Sequence, residues 1–203
     1  MISLLKKIII FLSDTKHFWY NKFIFKYKKV NYSDFPRIYG KIFIRNQGSI
    51  TIDKNVSFNS GPYANPIGGD TKMTIIVGKS AVLNIGSGAG ISNSTIICQD
   101  KITIGDNVKI GGSVKIYDTD FHSLDADNRR IKEKDLPNTK PVVIDDNSFI
   151  GAHSIILKGV TIGENSIIGA GSVVTKTIPS GEIWAGNPAK FIRSIPNSKD
   201  KLT

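Results

Sequence analysis

The sequence is poor in the residues that build disulfide-bonded, zinc-binding and membrane-spanning proteins. It has one cysteine, Cys98, and three histidines among 203 residues. A single cysteine excludes a disulfide framework and a zinc ribbon, and it suits a reducing compartment. The longest uncharged run near the N-terminus, Ile8 to Ser13, is far shorter than the roughly 20 apolar residues of a membrane span, and no small-residue cleavage site follows it. These absences predict a cytoplasmic protein.

What the sequence does contain is an apolar residue at every sixth position of its C-terminal half. The residues in this register are Ile144, Ile150, Ile156, Ile162, Ile168 and Val174. A period of six matches neither a helix nor simple strand alternation, but it is typical of a coil of short parallel strands with one aliphatic side chain pointing inward on each side. Gly151, Gly163 and Gly169 follow the register directly, and we expect them at corners that need positive φ.

The same spacing recurs upstream and organises most of the chain. Its earlier members are Ile38, Ile44, Ile50, Val56, Val77, Leu83, Ile85, Ile91, Ile97, Ile104, Ile110 and Ile116. Cys98 continues the last of these registers backwards, which predicts a buried structural thiol. The phase shifts near the Gly/Pro/Asn-rich residues 61–70, and the step from Ile116 to Ile144 is 28 residues, which six does not divide. The chain is therefore expected to loop out at both places.

These registers predict an all-β solenoid with three parts. We expect Pro179, Ser180 and Gly181 to form the turn that ends the coil. The expected parts are an N-terminal segment over residues 1–34, a β-helix over residues 35–180 with a loop at 117–141, and a C-terminal extension over residues 181–203.

Acidic residues are scarce in residues 1–30, which hold seven lysines against Asp14 in a chain of net charge +10. One interpretation is a cap that packs Ile8, Phe11, Trp19 and Phe23 onto the open end of the solenoid. The other is a peripheral contact with the inner face of the membrane, with aromatic side chains at the acyl boundary and lysines on anionic headgroups. Nucleic-acid binding has the least support, because no recognised motif accompanies the charge.

Three stretches carry a resemblance to a known family: IGDNVKIGGSVKI, then VVIDDNSFIGAHSIILKGVTIGENSIIGAGSVVTKTIPSG, then AGNPAKFIRSI. Over about residues 75–195 the chain resembles the left-handed β-helix hexapeptide-repeat acyltransferases. It is most similar to the maltose and galactoside O-acetyltransferases and to those of capsule and exopolysaccharide synthesis. The resemblance implies a left-handed β-helix, acetyl-CoA as the acyl donor, and a homotrimer with active sites between neighbouring solenoids.

The interruption of the repeat contains the candidate general base, His122. It lies in an aspartate-rich stretch with Asp118 and Asp120, and an imidazole is the usual group that takes a proton from a hydroxyl near neutral pH. Composition alone is equally typical of a solvated polar loop. The resemblance implies that His122 is the catalytic histidine and that the two aspartates contact substrate. Asn93 matches a family asparagine that positions the acceptor or the base; its alternative is a corner asparagine that tolerates left-handed φ.

The other two histidines carry weaker signals. His153 lies in a coil turn, where a surface or subunit-interface position is expected, and His17 has no partner pattern. A solenoid carbonic anhydrase needs three histidines around zinc. This chain has three in total, one outside the repeats and the other two 31 residues apart, so no metal site is expected.

The resemblance also implies which residues hold the donor. Ala152 and Ala170 match small residues whose backbones face the pantetheine arm, and the N–H of Ala152 is the candidate oxyanion donor. Thr175 and Lys176 match a pair near the adenine. Lys190 and Arg193 match basic residues that meet the CoA phosphates; their alternative is a solvated basic face on a C-terminal helix or extension.

Two departures from the sugar acetyltransferase pattern bear on the acceptor. Phe149 replaces a common tryptophan, and Cys98 and Gln99 occupy the place of an aspartate that binds sugar hydroxyls. The stretch DTDFHSLD is closer to the capsule and exopolysaccharide branch. The sequence thus favours O-acetylation of a surface saccharide or its precursor. The alternatives are N-acetylation of an amino sugar or antibiotic, and a non-catalytic solenoid used for assembly.

Overall fold

The computed structural model of the chain describes residues 2–69 and 71–196, with side chains from residue 15 onward. Within these residues the chain winds into a three-sided coil, and each side is one sheet. A short strand on one side is followed by a corner and then by a strand on the next side. The predicted β-helix is confirmed.

The strands of each side stack in parallel along the coil. Sheet A contains β1 (Asn31–Tyr32), β4 (Ser49–Ile52), β7 (Val82–Ile85), β10 (Lys101–Ile104), β13 (Val142–Ile144) and β16 (Thr161–Ile162). Sheet B contains β2 (Arg37–Gly40), β5 (Ser57–Ser60), β8 (Gly90–Ser92), β11 (Lys109–Ile110), β14 (Phe149–Ile150), β17 (Ile167–Ile168), β19 (Glu182–Ala185) and the antiparallel β20 (Lys190–Ser194). Sheet C contains β3 (Phe43–Asn46), β6 (Thr74–Val77), β9 (Thr95–Cys98), β12 (Lys115–Tyr117), β15 (Ile155–Ile156) and β18 (Val173–Val174).

The described helices lie outside the coil. They are α1 (Ile2–Tyr27), α2 (Ala126–Arg129) and a 3-10 turn at Pro66–Gly68.

The axis of the coil is filled by the aliphatic side chains of the six-residue register. All six members from Ile144 to Val174 have no exposed surface, and they lie in one core with the earlier ones. Serines at the inner corners are buried as well. Ser148 donates to the carbonyl of Gly163 at 3.0 Å, and Ser166 donates to that of Pro179 at 2.7 Å. These hydroxyls satisfy carbonyl groups that the corners would otherwise bury unpaired.

The phase shift in the middle of the chain differs from the prediction at one residue. Ile85 and Ile91 face inward as expected, but the next inward residue is Ile96, and Ile97 faces outward. The corner at Asn93 is one residue shorter than the others, so the spacing there is five. Cys98 returns to the interior two residues later and is fully buried, as predicted.

The corners need glycine for a different reason from the one expected. Gly151 does not have positive φ; the positive-φ residues of these coils include Asn147, His153, Asn165 and Gly171. A Cβ built on Gly151 would lie 2.5 Å from the backbone nitrogen of Ala170 in the next coil. Glycine is therefore required by the close stacking of successive corners, not by backbone conformation.

The coil extends a few residues beyond its predicted limits of 35 and 180. β1 at residues 31–32 already pairs with β4. After the turn at residues 179–181, β19 adds to sheet B in parallel, and β20 folds back against it. The C-terminal segment is thus a strand that covers the last coil, where a helix or irregular extension was one expectation.

Helix α1 closes the other end of the coil with a polar and an aromatic contact. Asn21 is buried: its amide donates to the carbonyl of Gly40 at 2.9 Å and accepts from the N–H of Ile42 at 3.2 Å. Phe25 packs into the core beside it. Trp19 and Phe23, which the cap hypothesis placed on the coil, are instead exposed. Ile8 and Phe11, the other residues of that hypothesis, lie outside the described side chains.

Candidate active site

Residues 118–140 leave the coil between β12 and β13, and we call them the His122 arm. The two ends of the arm are held together by an antiparallel bridge between Thr119 and Thr139. The N–H of Lys140 donates to the carbonyl of Asp118 at 2.9 Å, and the N–H of Asp120 donates to that of Asn138 at 3.1 Å. The arm is therefore a closed excursion from the corner between sheets C and A.

His122 lies near the start of the arm and is held by a carboxylate from its far side. Its Nδ1 lies 2.7 Å from Oδ2 of Asp135, and the other oxygen of Asp135 accepts from the N–H of Ser123 at 2.7 Å. These hydrogen bonds, first that with His122, lower the pKa of Asp135. The ionised carboxylate keeps the proton on Nδ1, so Nε2 carries the lone pair. The His122 side chain is 67% exposed, and Nε2 can accept a proton from a bound hydroxyl.

Asp135 was not among the residues predicted from the sequence. It lies 13 residues after His122, beyond the reach of any local motif. The prediction relied on Asp118 and Asp120, which are nearer in sequence, whereas the pair of His122 and Asp135 forms only because the arm folds back on itself. Its sequence signal is no stronger than that of any other acidic residue in the loop.

The residue before His122 adopts an unusual backbone conformation. Phe121 has φ of 66°, a region that non-glycine residues with large side chains rarely occupy. Its N–H donates to Oγ1 of Thr119 at 3.2 Å, and its ring packs edge-on against Tyr117 with centroids 5.0 Å apart. Such strain persists where the surroundings impose it and is common at functional sites.

The two aspartates expected to contact substrate support the arm instead. Asp118 is fully buried, and its oxygens accept from the N–H groups of Gln99 at 2.7 Å and Asp100 at 2.8 Å. Both oxygens face the protein's own backbone, which leaves none for a substrate. Asp120 lies 3.2 Å from Nζ of Lys158, and both side chains are mostly buried. Its Oδ2 has no partner in hydrogen-bonding geometry among the described groups, so charge attraction alone holds this pair.

Asn93 lies at a different corner, between sheets B and C, and holds a second excursion of the chain. We call residues 61–69 and 71 the corner loop. The side-chain oxygen of Asn93 accepts from the N–H of Gly61 at 2.7 Å, and its amide nitrogen donates to the carbonyl of Asn65 at 2.7 Å. Asn93 is fully buried with φ of 44°. It combines the expected corner conformation with a role in fixing the loop, and it makes no hydrogen bond to His122 within the described chain.

His153 also contacts the corner loop. Its Nε2 lies 3.1 Å from the carbonyl oxygen of Ile67, to which the ring donates. Ser113, on the coil below, donates to the carbonyl of Gly68 at 2.9 Å. A Cβ on Gly68 would lie 2.4 Å from the side chain of Asn93. The loop is thus packed tightly onto this corner, although Tyr63 and Ile67 on its outer side are exposed.

Ala152 and Ala170 stack on the same corner as Asn93 and His153. The carbonyl of Ala152 accepts from the N–H of Gly171 at 2.8 Å. In the part of the chain that the structure describes, neither alanine N–H has an acceptor. Glycines at the preceding positions leave the two backbones in close contact. We call these two stacked residues the alanine column. The corner therefore presents small side chains and unpaired backbone N–H donors.

The four basic or polar residues expected near the donor are all exposed. Thr175 and Lys176 lie on the corner that carries the His122 arm, and Nζ of Lys176 lies 5.0 Å from the centre of the Trp184 ring. On β20, Lys190 pairs with Ala185 of β19, next to the alanine column, and Arg193 pairs with Ile183 of β19. The structure thus distributes the predicted residues over two corners.

Sheet C separates these two corners. On the coil that contains Ala152, the chain crosses sheet C along β15 (Ile155–Ile156). The outer face of the sheet has an aliphatic patch beside polar residues such as Thr95 and Lys115. The half-buried side chains of the patch are Ile76, Ile97, Ile155, Leu157 and Val173. Within the described residues, no three His, Cys, Asp or Glu side chains lie close enough to hold a metal ion. One chain thus presents the base on one edge of sheet C and the backbone donors on the other.

The repeat is recognised by comparison with known proteins. Residues 141–176 match the family model described as the hexapeptide repeat of succinyl-transferase. A Dictyostelium discoideum protein with an inferred acetyltransferase activity is 48% identical over 95 residues, which are 47% of this chain and 48% of that protein. The chain spans about half the length of the first curated relatives that it matches.

Solved structures give the same result. A hexapeptide-repeat acetyltransferase of Vibrio cholerae in complex with acetyl-CoA aligns with a TM-score of 0.53 and 38% identity, over 57% of this chain and 61% of that one. A galactoside acetyltransferase in complex with CoA aligns with a TM-score of 0.50 and 34% identity, over 74% of this chain and 66% of that one. The chain therefore has the left-handed hexapeptide-repeat β-helix, and the comparisons support its place among the hexapeptide-repeat acetyltransferases.

Proposed function

We propose that the chain is an acetyl-CoA-dependent O-acetyltransferase that acts on a sugar hydroxyl of a surface saccharide or its precursor. The observation that carries the proposal is the pair of His122 and Asp135, 2.7 Å apart, with Nε2 of the ring free to take a proton. The pair is supported by the named activity of the relatives and by acetyl-CoA in the related Vibrio cholerae structure.

The reaction is direct transfer to the acceptor. Nε2 of His122 takes the proton of the hydroxyl while its oxygen attacks the thioester carbonyl carbon. The C–S bond then breaks, and the imidazolium returns the proton to the departing CoA sulfur. The Ala152 N–H, which has no other acceptor among the described residues, donates to the carbonyl oxygen as negative charge develops there. No acyl-enzyme forms, and His122 is neutral again at the end of the reaction.

The donor is proposed to lie along the alanine column. The unpaired N–H groups of Ala152 and Ala170 suit the amide carbonyls of the pantetheine arm, and the absence of larger side chains leaves it room. Lys190 and Arg193 supply cations for the phosphates, and Thr175 and Lys176 meet the adenine end. Asn93 acts as a positioning residue through the corner loop.

A homotrimer completes the site in this proposal. Ala152 lies at the corner between sheets B and C, and the His122 arm leaves the coil at the corner between sheets C and A, so in this proposal each acetyl group meets the base of one copy and the backbone donor of its neighbour. A neighbouring copy placed against the outer face of sheet C supplies the second edge. Closed cyclic assemblies repeat such a contact around the ring.

Acetyl-CoA turnover tests the proposal. Release of CoA thiol is measured with a panel of sugars and nucleotide sugars for wild type, His122→Ala, and the control His17→Ala. We expect acceptor-dependent release that falls about 100-fold or more in His122→Ala and is unchanged in the control. Full activity in His122→Ala would show that another group is the base, and no release by the wild-type chain with any acceptor would support a non-catalytic solenoid. Product that survives mild alkali would show an amide, hence N-acetylation.

A further inference from the structure

Helix α1 has two faces with different surroundings. Asn21 and Phe25, four residues apart, are buried against the end of the coil. Trp19, Phe23 and Tyr27, also four residues apart, form what we call the aromatic stripe, and they are 65%, 63% and 66% exposed. Residues at this spacing share one helix face. The contacts that cap the coil do not use the stripe, and three neighbouring exposed aromatic side chains are typical of an interaction surface.

The surroundings of the stripe are cationic. Between residues 15 and 32 the chain has five lysines and no aspartate or glutamate. Beside the stripe lies an open groove of about 520 Å³, lined by Trp19, Lys22, Phe23, Lys26, Lys29 and Tyr32 among others. Within the described residues no ion pair involves these lysines. The charge of this face is therefore complementary to an anionic partner.

Several lysines lie close to the aromatic rings. Nζ of Lys28 is 4.7 Å from the centre of the Tyr27 ring, and Nζ of Lys22 is 5.4 Å from that of Phe18. Phe23 and Tyr27 stack with centroids 5.8 Å apart. The face thus offers a row of rings flanked by cations, which is the pattern of helices that lie at a membrane interface.

We infer that the aromatic stripe docks onto an anionic lipid surface. The rings enter the boundary between headgroups and acyl chains, where amphipathic aromatic side chains are favoured, and the lysines contact anionic headgroups. The helix lies along the surface, since no helix within residues 2–69 and 71–196 has the length and apolarity of a membrane span. If the proposed function holds, this contact brings the active site to a lipid-borne saccharide.

Vesicle binding by the full chain tests the inference. Co-sedimentation is measured with vesicles of phosphatidylcholine alone and of phosphatidylcholine mixed with phosphatidylglycerol. We expect binding to the anionic vesicles only, weakened by salt because the lysine contribution is screened. Equal binding to both kinds of vesicle, or none to either, would overturn the inference, whatever the outcome of the acetyl-CoA assay.

Matched substitutions locate the contact. The double variant Trp19→Ser, Phe23→Ser is expected to bind anionic vesicles at least about tenfold more weakly. The substitutions Lys26→Glu and Lys29→Glu are each expected to weaken binding about fivefold or more. The control variant Tyr39→Ser changes an exposed aromatic residue on sheet B and should bind as wild type. Circular dichroism checks that each variant folds. Equal loss in the control and the stripe variant would contradict a role for the stripe.

Tryptophan fluorescence gives an independent readout, because the chain has two tryptophans and Trp184 is buried. We expect anionic vesicles to shift the emission of Trp19 to shorter wavelength, and Trp19→Phe to abolish the shift while sedimentation persists. A stripe variant with an altered oligomeric state by analytical ultracentrifugation would assign the stripe to a subunit contact. Retention on duplex DNA in preference to vesicles would assign it to nucleic acid. Either result would overturn the inference.

Discussion

At the residue scale, the chemistry depends on which nitrogen of His122 carries the proton. Asp135 accepts from Nδ1 and is itself fixed by the N–H of Ser123, so the lone pair is kept on Nε2. The carboxylate touches no substrate in the proposed reaction. It is a positioning residue whose effect passes through the imidazole, and its removal should therefore affect turnover more than donor binding.

Asp135→Asn is expected to lower kcat by roughly 100-fold or more with little change in KM for acetyl-CoA. The asparagine oxygen can still accept from Ser123, which turns its NH₂ group towards Nδ1 and favours the tautomer that protonates Nε2. The measurement is steady-state kinetics beside Asp127→Asn, an exposed aspartate of the same arm that pairs with Arg130. Equal activity of both variants would show that the pair does not set the tautomer.

Cys98 is expected to be chemically inert in the folded protein. Burial, followed by the charge of nearby Asp118, raises the pKa of its thiol to about 12, and the side chain has no exposed surface. Because the thiolate is the reactive form, a disulfide reagent should not modify the native chain at about pH 8. It should label one thiol per chain in concentrated guanidinium. Rapid labelling without denaturant would place Cys98 outside the core.

At the element scale, the corner loop is held by one buried side chain. Asn93 makes its bonds to Gly61 and Asn65 out of contact with water, so their loss leaves buried backbone groups unpaired. We expect Asn93→Ala to lower the free energy of unfolding by about 2–4 kcal/mol and to expose residues 61–69 to limited proteolysis. The measurement is denaturant unfolding followed by circular dichroism.

Asn165→Ala is the matched control for this change. Asn165 also has positive φ, 61°, at a corner of the coil, but it is exposed. It therefore reports the cost of placing alanine at positive φ without the loss of buried hydrogen bonds. Similar destabilisation in both variants would mean that backbone conformation, and not the loop, accounts for Asn93.

Whether an element could be predicted from the sequence depends on how local its cause is. The ladder from Ile144 to Val174 repeats a local pattern, so its burial followed from spacing alone. The inward turn of Ile96 in place of Ile97 depends on the length of one corner. The pairing of Asp135 with His122 depends on how the arm folds back, and the spacing of neither residue indicates it.

The N-terminal helix illustrates the same limit. Sequence composition left a cap and a membrane contact as alternatives, because charge and aromatic content do not tell which face of a helix meets the coil. The structure assigns Asn21 and Phe25 to the cap and leaves Trp19 and Phe23 exposed. The two hypotheses therefore concern different faces of one helix, and the second is open to test.

At the scale of the whole molecule, the separation of the two corners by sheet C decides how a site can be built. The His122 arm and the alanine column belong to different edges of one face, and that face carries aliphatic side chains. In the proposed trimer every active site takes one edge from each of two copies. A chain with one defective edge therefore inactivates only the site to which that edge belongs, and its other edge can still complete a site with a neighbouring copy.

This arrangement makes a quantitative prediction for mixed assemblies. His122→Ala disables the arm, and Ala152→Trp fills the column; each alone should be inactive. Co-expressed in equal amounts and purified through a different tag on each, the two variants form mixed rings in which about a third of the sites, one in each trimer, combine two intact edges. Acetyl-CoA turnover of the mixture should recover to roughly that fraction of wild type. A site contained within a single chain has no intact combination, so a mixture without activity would contradict shared sites while leaving His122 as the base.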